Sequence, residues 1–156
     1  MNFSSNQIHY LSAYFASNLY SIRYIDFNNN NNLNDTSLRA FCFLNILSLE
    51  KLTFRSNNLI SLNAFYDLFC RLMNITNKKN LIDINDNVNL KCNCTLVQFQ
   101  NYLDQYNNLT CTQEGQDRYY ISTLTNWFSN CQSTICTNRQ KSINSDYCSW
   151  TDAERM

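Results

Sequence analysis

Apolar and polar positions fall in the same order several times along the first ninety residues. The clearest run, "LEKLTFRSNNLISL", sets Leu49, Leu52, Phe54, Asn57, Leu59 and Leu62 at L-x-x-L-x-L-x-x-N-x-L-x-x-L without a gap. "IRYIDFNNNNNL" gives Ile22, Ile25, Phe27 and Asn30, with Leu33 one place late. "MNFSSNQIHYL" enters midway with Phe3, Asn6, Ile8 and Leu11, and a truncated copy reads Ile82, Ile84 and Asn87. Alternation such as Leu52-Thr53-Phe54 predicts a short strand with one face buried. The asparagine that follows predicts a turn, since its amide can satisfy backbone groups there. Stacked turns of this kind predict an asparagine ladder. After each turn come apolar residues at near-helical spacing: Leu11, Phe15 and Leu19; Leu38, Phe41 and Leu44; Leu62, Phe65, Leu68 and Leu72. No unit can bury its apolar face alone, so the units must stack.

These motifs resemble the leucine-rich repeat family over residues 1 to about 91. The second copy is about three residues longer than the ~24-residue unit. The third is longer still, through "CRLMNITNKK", which predicts a fuller helix or a bulge there. The resemblance implies an α/β solenoid, a short horseshoe fragment of about three repeats. The alternative is an ordinary α/β domain with chance spacing.

Eight cysteines in 156 residues change the picture. Such density points to disulfides and a secreted setting. The pair Cys92 and Cys94 has one residue between, then Cys111 follows after sixteen and Cys131 after nineteen more. Structural zinc and thioredoxin-type redox sites both prefer two intervening residues. The single histidine, His9, makes mixed Cys/His sites scarce. The block "NVNLKCNCTLVQFQNYL" is similar to the cysteine-flanked carboxy-terminal cap of extracellular leucine-rich repeat proteins. It departs from that pattern in having Val88 where the family has proline, in lacking the usual tryptophan, and in one inserted residue. The cap resemblance implies pairing of Cys92 with Cys111 and Cys94 with Cys131. It also implies an amphipathic helix through Leu96, Phe99 and Leu103, with Tyr102 and Tyr106 alongside, and a core closed by Leu124, Trp127 and Phe128. A helix across the end of a repeat stack hides an apolar end and an open strand edge.

Cys42 and Cys70 fall at nearly the same phase of successive units, as a bridge or as two buried thiols. Cys136 and Cys148 lie in a polar tail, where a local bridge is expected if the chain is secreted. The organisation expected is repeats over 1–91, a stapled helical cap over 92–131, and a tail over 132–156. Sequons occur at Asn2, Asn34, Asn74, Asn93 and Asn108; Asn93, between two staple cysteines, is expected to be blocked, and Asn2, Asn34, Asn74 and Asn108 are the candidate glycosylation sites.

The start of the chain has no basic segment followed by an apolar run, so it does not read as a signal peptide. The expectation that reconciles this with the cysteines is a fragment of a longer, secreted or membrane-anchored protein. The other is a cytosolic protein with reduced thiols. No apolar run approaches the ~20 residues of a membrane span, so no insertion is expected within this chain. Acidic and basic residues balance at 12 each, and no basic cluster suggests nucleic acid.

His9 reads as a solvated surface residue without a catalytic partner. The chain has one glycine, Gly115, and no phosphate-cradling loop. "DIND", residues 83–86, lacks the glycine and terminal glutamate of a calcium loop. No enzyme activity, metal or cofactor is expected. The resemblance implies binding of a protein or peptide on a concave sheet. The residues expected to face it are Arg23, Tyr24, Asp26 and Asn28; Glu50, Lys51, Thr53 and Arg55; and Asp83 and Asn85, with Tyr24 and Arg55 as anchors. A matrix scaffold and a small disulfide-rich secreted enzyme are the alternatives.

Overall fold

The computed structural model describes residues 1–12, 15–41, 44–72, 78–113, 118–123 and 131. Three short parallel strands form one sheet: β1 (Tyr24–Asp26), β2 (Lys51–Thr53) and β3 (Ile82–Asp83). Ile25 lies opposite Leu52, and Leu52 opposite Ile82, so one apolar residue from each strand points into the core. Between β1 and β2 the chain forms a 3₁₀ segment, Asp35–Phe41. Between β2 and β3 it forms a 3₁₀ turn, Asn63–Phe65, that runs into α1 (Tyr66–Leu72). Beyond β3 come α2 (Cys94–Gln98), two 3₁₀ turns, and an antiparallel pair, β4 (Thr110–Thr112) with β5 (Arg118–Tyr120).

The asparagine turns work as bridges between neighbouring strand ends. Asn57 Nδ2 donates to Phe27 O at 2.9 Å, and its Oδ1 accepts from Asn30 N at 2.9 Å. Asn87 Nδ2 donates to Phe54 O at 2.9 Å and its Oδ1 accepts from Leu59 N at 3.1 Å. Asn30 serves Phe3 O and Ile8 N in the same way. All three are buried and fully engaged, as a buried amide must be. The residue before each ladder position, Ser5, Asn29, Ser56 and Asp86, has φ of 54–61°. That left-handed step turns the strand end into the bridge.

The apolar residue three before each asparagine builds a second ladder. The ring of Phe27 stacks on Phe3 at 4.9 Å and on Phe54 at 5.6 Å. Phe41 meets Phe27 and Phe54 edge-on at 5.8 and 5.3 Å. The series continues through Phe65 and Phe69 to Phe99, which stacks on Phe69 at 4.3 Å. One core therefore runs from Leu11 to Ile121, through the first ninety-one residues and the stapled segment.

The expected leucine-rich repeat horseshoe is corrected. The described residues form a small mixed fold: a three-stranded parallel sheet, a separate antiparallel pair and few helices. Local turn chemistry repeats, but the unit does not. The crossings lengthen at each step and carry different elements, a 3₁₀ segment first and an α-helix second. Without a uniform crossing there is no common rotation to propagate into a curved solenoid. The strand face is accordingly the open side of a small sheet rather than a concave horseshoe. The expected amphipathic helix is likewise short: α2 ends at Gln98 and a 3₁₀ turn, Gln100–Tyr102, follows. Leu96, Phe99 and Leu103 are nonetheless buried.

Two disulfides staple this segment, Cys92–Cys111 and Cys94–Cys131. They are the pairs implied by the cap resemblance. The first ties the start of the segment to β4, where Cys92 N donates to Thr112 O at 2.9 Å. Cys70 is also disulfide-bonded. Cys42, Cys136 and Cys148 lie outside the described residues, as do Leu124, Trp127, Phe128 and the tail 132–156. Proteolysis without reductant is expected to release peptides joining residues 92 to 111 and 94 to 131. Crossed pairs, or free thiols at these four positions, in mass spectra would contradict the structure.

Candidate functional site

The open side of the parallel sheet is lined by the residues that alternate with the buried ones. Ile25, Leu52 and Ile82 point inward, so Tyr24 and Asp26, Lys51 and Thr53, and Asp83 stand on the other side. Of the ten residues expected on this face, these five alternate with the core residues along the strands, and the ten are not equally exposed.

Arg23, Tyr24 and Glu50 form an exposed group at one end. The Arg23 guanidinium pairs with Glu50, and the Tyr24 hydroxyl donates to the same carboxylate. Arg23 also sits 5.8 Å from the Tyr24 ring centre. The Tyr24 hydroxyl, and after it Arg23, hold the Glu50 carboxyl below its usual range. The same hydrogen bond pushes the Tyr24 hydroxyl upward.

The middle of the face is a hydrogen-bonded lattice. Asp26 Oδ1 accepts from Asn28 N at 2.9 Å and from the Thr53 hydroxyl at 3.1 Å. Asn28 Oδ1 accepts from Arg55 N at 2.7 Å. The Arg55 guanidinium donates to Asp86 at 2.8 Å and lies 3.9 Å from Asp83. That bond to Asp86 is the main cause of a raised Arg55 pKa. Lys51 reaches Asp104, in the stapled segment, and donates to Asn80 O at 3.1 Å.

Asp83 and Asn85 differ from the other eight in being buried, each 5% exposed. The chain around Leu103 covers them: Leu103 bridges to Ile82, Asp104 N donates to Ile82 O at 2.8 Å, and Asn85 Nδ2 donates to Asp104 O at 3.2 Å. Asn85 ties the stapled segment to the sheet edge, and Asp83 Oδ1 in turn accepts from Asn85 N and Nδ2. Asp86 and Asp104 belong to the face and were not singled out in the sequence. Asp86 had a signal, its place beside Asn87 in the ladder turn. Asp104 had none, because fifty-three residues separate it from Lys51.

The sequons fall into different settings. Asn2 and Asn34 are exposed, and each Oδ1 accepts from the hydroxyl two residues on, Ser4 at 2.7 Å and Thr36 at 2.6 Å. Asn93 caps α2, its Oδ1 accepting from Leu96 N. Asn108 is exposed on a groove beside the stapled segment. Asn74 lies outside the described residues.

His9 is exposed. Among the described residues, no group of three or more His, Cys, Asp or Glu side chains is placed to hold a metal ion. Among them too, no helix is long and apolar enough to cross a membrane. The disulfide-bonded cysteines fit an extracellular protein. The chain matches no family model, no curated protein and no solved structure.

Proposed function

We propose that this chain is an extracellular recognition module that binds a protein or peptide on the open side of its parallel sheet. The observation that carries the reading is the exposed group of Arg23, Tyr24 and Glu50, continued by Arg55, on a core stapled by two disulfides. Tyr and Arg are the residues most enriched where binding energy concentrates. Arg23–Glu50 and Arg55–Asp86 are solvent-exposed ion pairs, which water and salt screen, and Tyr24 donates to the same Glu50 carboxylate. A ligand carboxylate can therefore replace Glu50 or Asp86, or a ligand guanidinium Arg23 or Arg55, at small cost. The motif resemblance to secreted repeat proteins and the two staples support an oxidising, extracellular setting.

The test is a screen of the full secreted chain, presented as a multivalent probe, against a library of secreted and cell-surface proteins. For a hit, the double substitution Tyr24→Ala/Arg55→Ala is expected to weaken binding about tenfold or more, with unfolding little changed. Unchanged affinity with the double variant would place the binding elsewhere and sink the reading.

A further inference from the structure

We propose that the groove between residues 79–80 and 100–108 is a binding site for a neutral oligosaccharide. It is an open depression of about 600 Å³, formed where the chain leaves the 3₁₀ turn Gln100–Tyr102 and enters a second one, Tyr106–Asn108. Lys79 and Asn80 form its opposite wall. The backbone here is already tied: Asn80 N donates to Asn101 O at 3.0 Å, and Asn108 N to Gln105 O at 2.9 Å. The side-chain amides take no part in these bonds. Those of Asn80, Gln100, Asn101, Gln105 and Asn108 have no hydrogen-bond partner among the described residues, and all five residues line the one groove.

The backbone marks the same place. Among the described residues, six that are not glycine have positive φ. Four of them precede the ladder asparagines, where the turn requires that step. The other two, Asn80 at 50° and Gln105 at 49°, both line this groove. A left-handed conformation is unfavourable for a side chain such as Gln105's, and such outliers gather at binding sites.

The chemistry selects the ligand. A primary amide carries donors and an acceptor in one plane, which suits adjacent hydroxyl groups of a sugar. Tyr106, half-buried against the core, also lines the groove, and an aromatic ring suits the apolar face of a sugar ring. Charge is nearly balanced: Lys79 is the one cation in the lining, and Asp104 already pairs with Lys51. A phosphate or sulfate ligand would find too little positive charge. A peptide would find no apolar pocket, since Leu103, the lone aliphatic lining residue, is buried.

The groove is separate from the Arg23–Glu50 group, so the two readings can fail independently. The test uses the full, disulfide-bonded, ¹⁵N-labelled chain from a bacterial periplasm, where Asn108 carries no sugar. Maltotriose, cellotriose and triacetylchitotriose are titrated, with dextran sulfate and a tripeptide mixture as the competing chemistries. At least one trisaccharide is expected to shift the side-chain amide signals of Gln100, Asn101 and Gln105, with a Kd of about 0.1–10 mM. Gln105→Gly keeps the left-handed backbone and removes only the amide. It and Asn101→Ala are each expected to weaken binding about threefold or more, whereas Tyr20→Ala, at an exposed side chain, leaves it unchanged. No shift with any neutral trisaccharide at concentrations tenfold above that range would overturn the proposal. So would shifts located elsewhere, or an equal response to dextran sulfate or the peptides.

Discussion

Phe54→Ala is expected to destabilise the protein by about 3–5 kcal/mol, the range for removing a fully buried aromatic ring from a core that cannot collapse around the gap. Phe54 is completely buried and touches three other rings, stacked on Phe27 and tilted or edge-on to Phe41 and Phe65. It stands in the middle of a series that links the first strand-like turn to the stapled segment. Its loss therefore leaves a void bounded on both sides by rings held in place by their own neighbours. Urea unfolding with the disulfides intact measures the change. Tyr20→Ala, at a side chain 65% exposed, serves as the control and is expected to move stability by less than about 0.5 kcal/mol. A cost below about 1 kcal/mol for Phe54→Ala would mean that the aromatic series is not the packed core described here.

Asn57→Ala is expected to cost about 2–4 kcal/mol, from lost bonds and an orphaned buried donor. Asn30 N gives its hydrogen bond to Asn57 Oδ1, and Asn30 is itself buried, so water cannot take over. Phe27 O and Arg55 O also lose an Asn57 donor but keep others, from Asn30 Nδ2 and Asn29 N. The single orphan, Asn30 N, therefore dominates. Asn34→Ala, in an exposed turn, removes an amide of the same kind and is expected to change stability by less than about 1 kcal/mol. Equal effects at Asn57 and Asn34 would show that the bridges between strand ends contribute no more than any local turn.

Much of the local structure was legible. Alternation placed Ile25, Leu52 and Ile82 inward and so located the three strands, because a period of two has only one way to bury an apolar face. The asparagine three residues after an apolar position located the turns. The longer third stretch was expected to hold a fuller helix or a bulge; α1, Tyr66–Leu72, enters its first residues, and 73–77 lie outside the described residues. Four cysteine partners followed from the resemblance to a stapled cap, not from their spacing. The burial of Asp83 and Asn85 was not legible, since alternation puts them on the solvent side and only the chain at Leu103 and Asp104 covers them.

By itself the sequence determined what depends on a few neighbouring residues: which side chains face in, where the chain turns, and that cysteines are dense enough to staple it. Tertiary structure alone decided the architecture. The same turn recurs, but whether turns add up to a horseshoe depends on the crossings behind them, and those differ in length and kind. It also decided the partners: Asn57 with Asn30, Arg55 with Asp86 and Lys51 with Asp104 are joined across twenty-seven, thirty-one and fifty-three residues. The amide-lined groove has the same origin, because residues 79–80 and 100–108 come together only when the stapled segment closes on the sheet edge. Periodicity is a property of one segment, whereas hydrogen bonds, ion pairs and grooves belong to the distances between segments, which only packing sets.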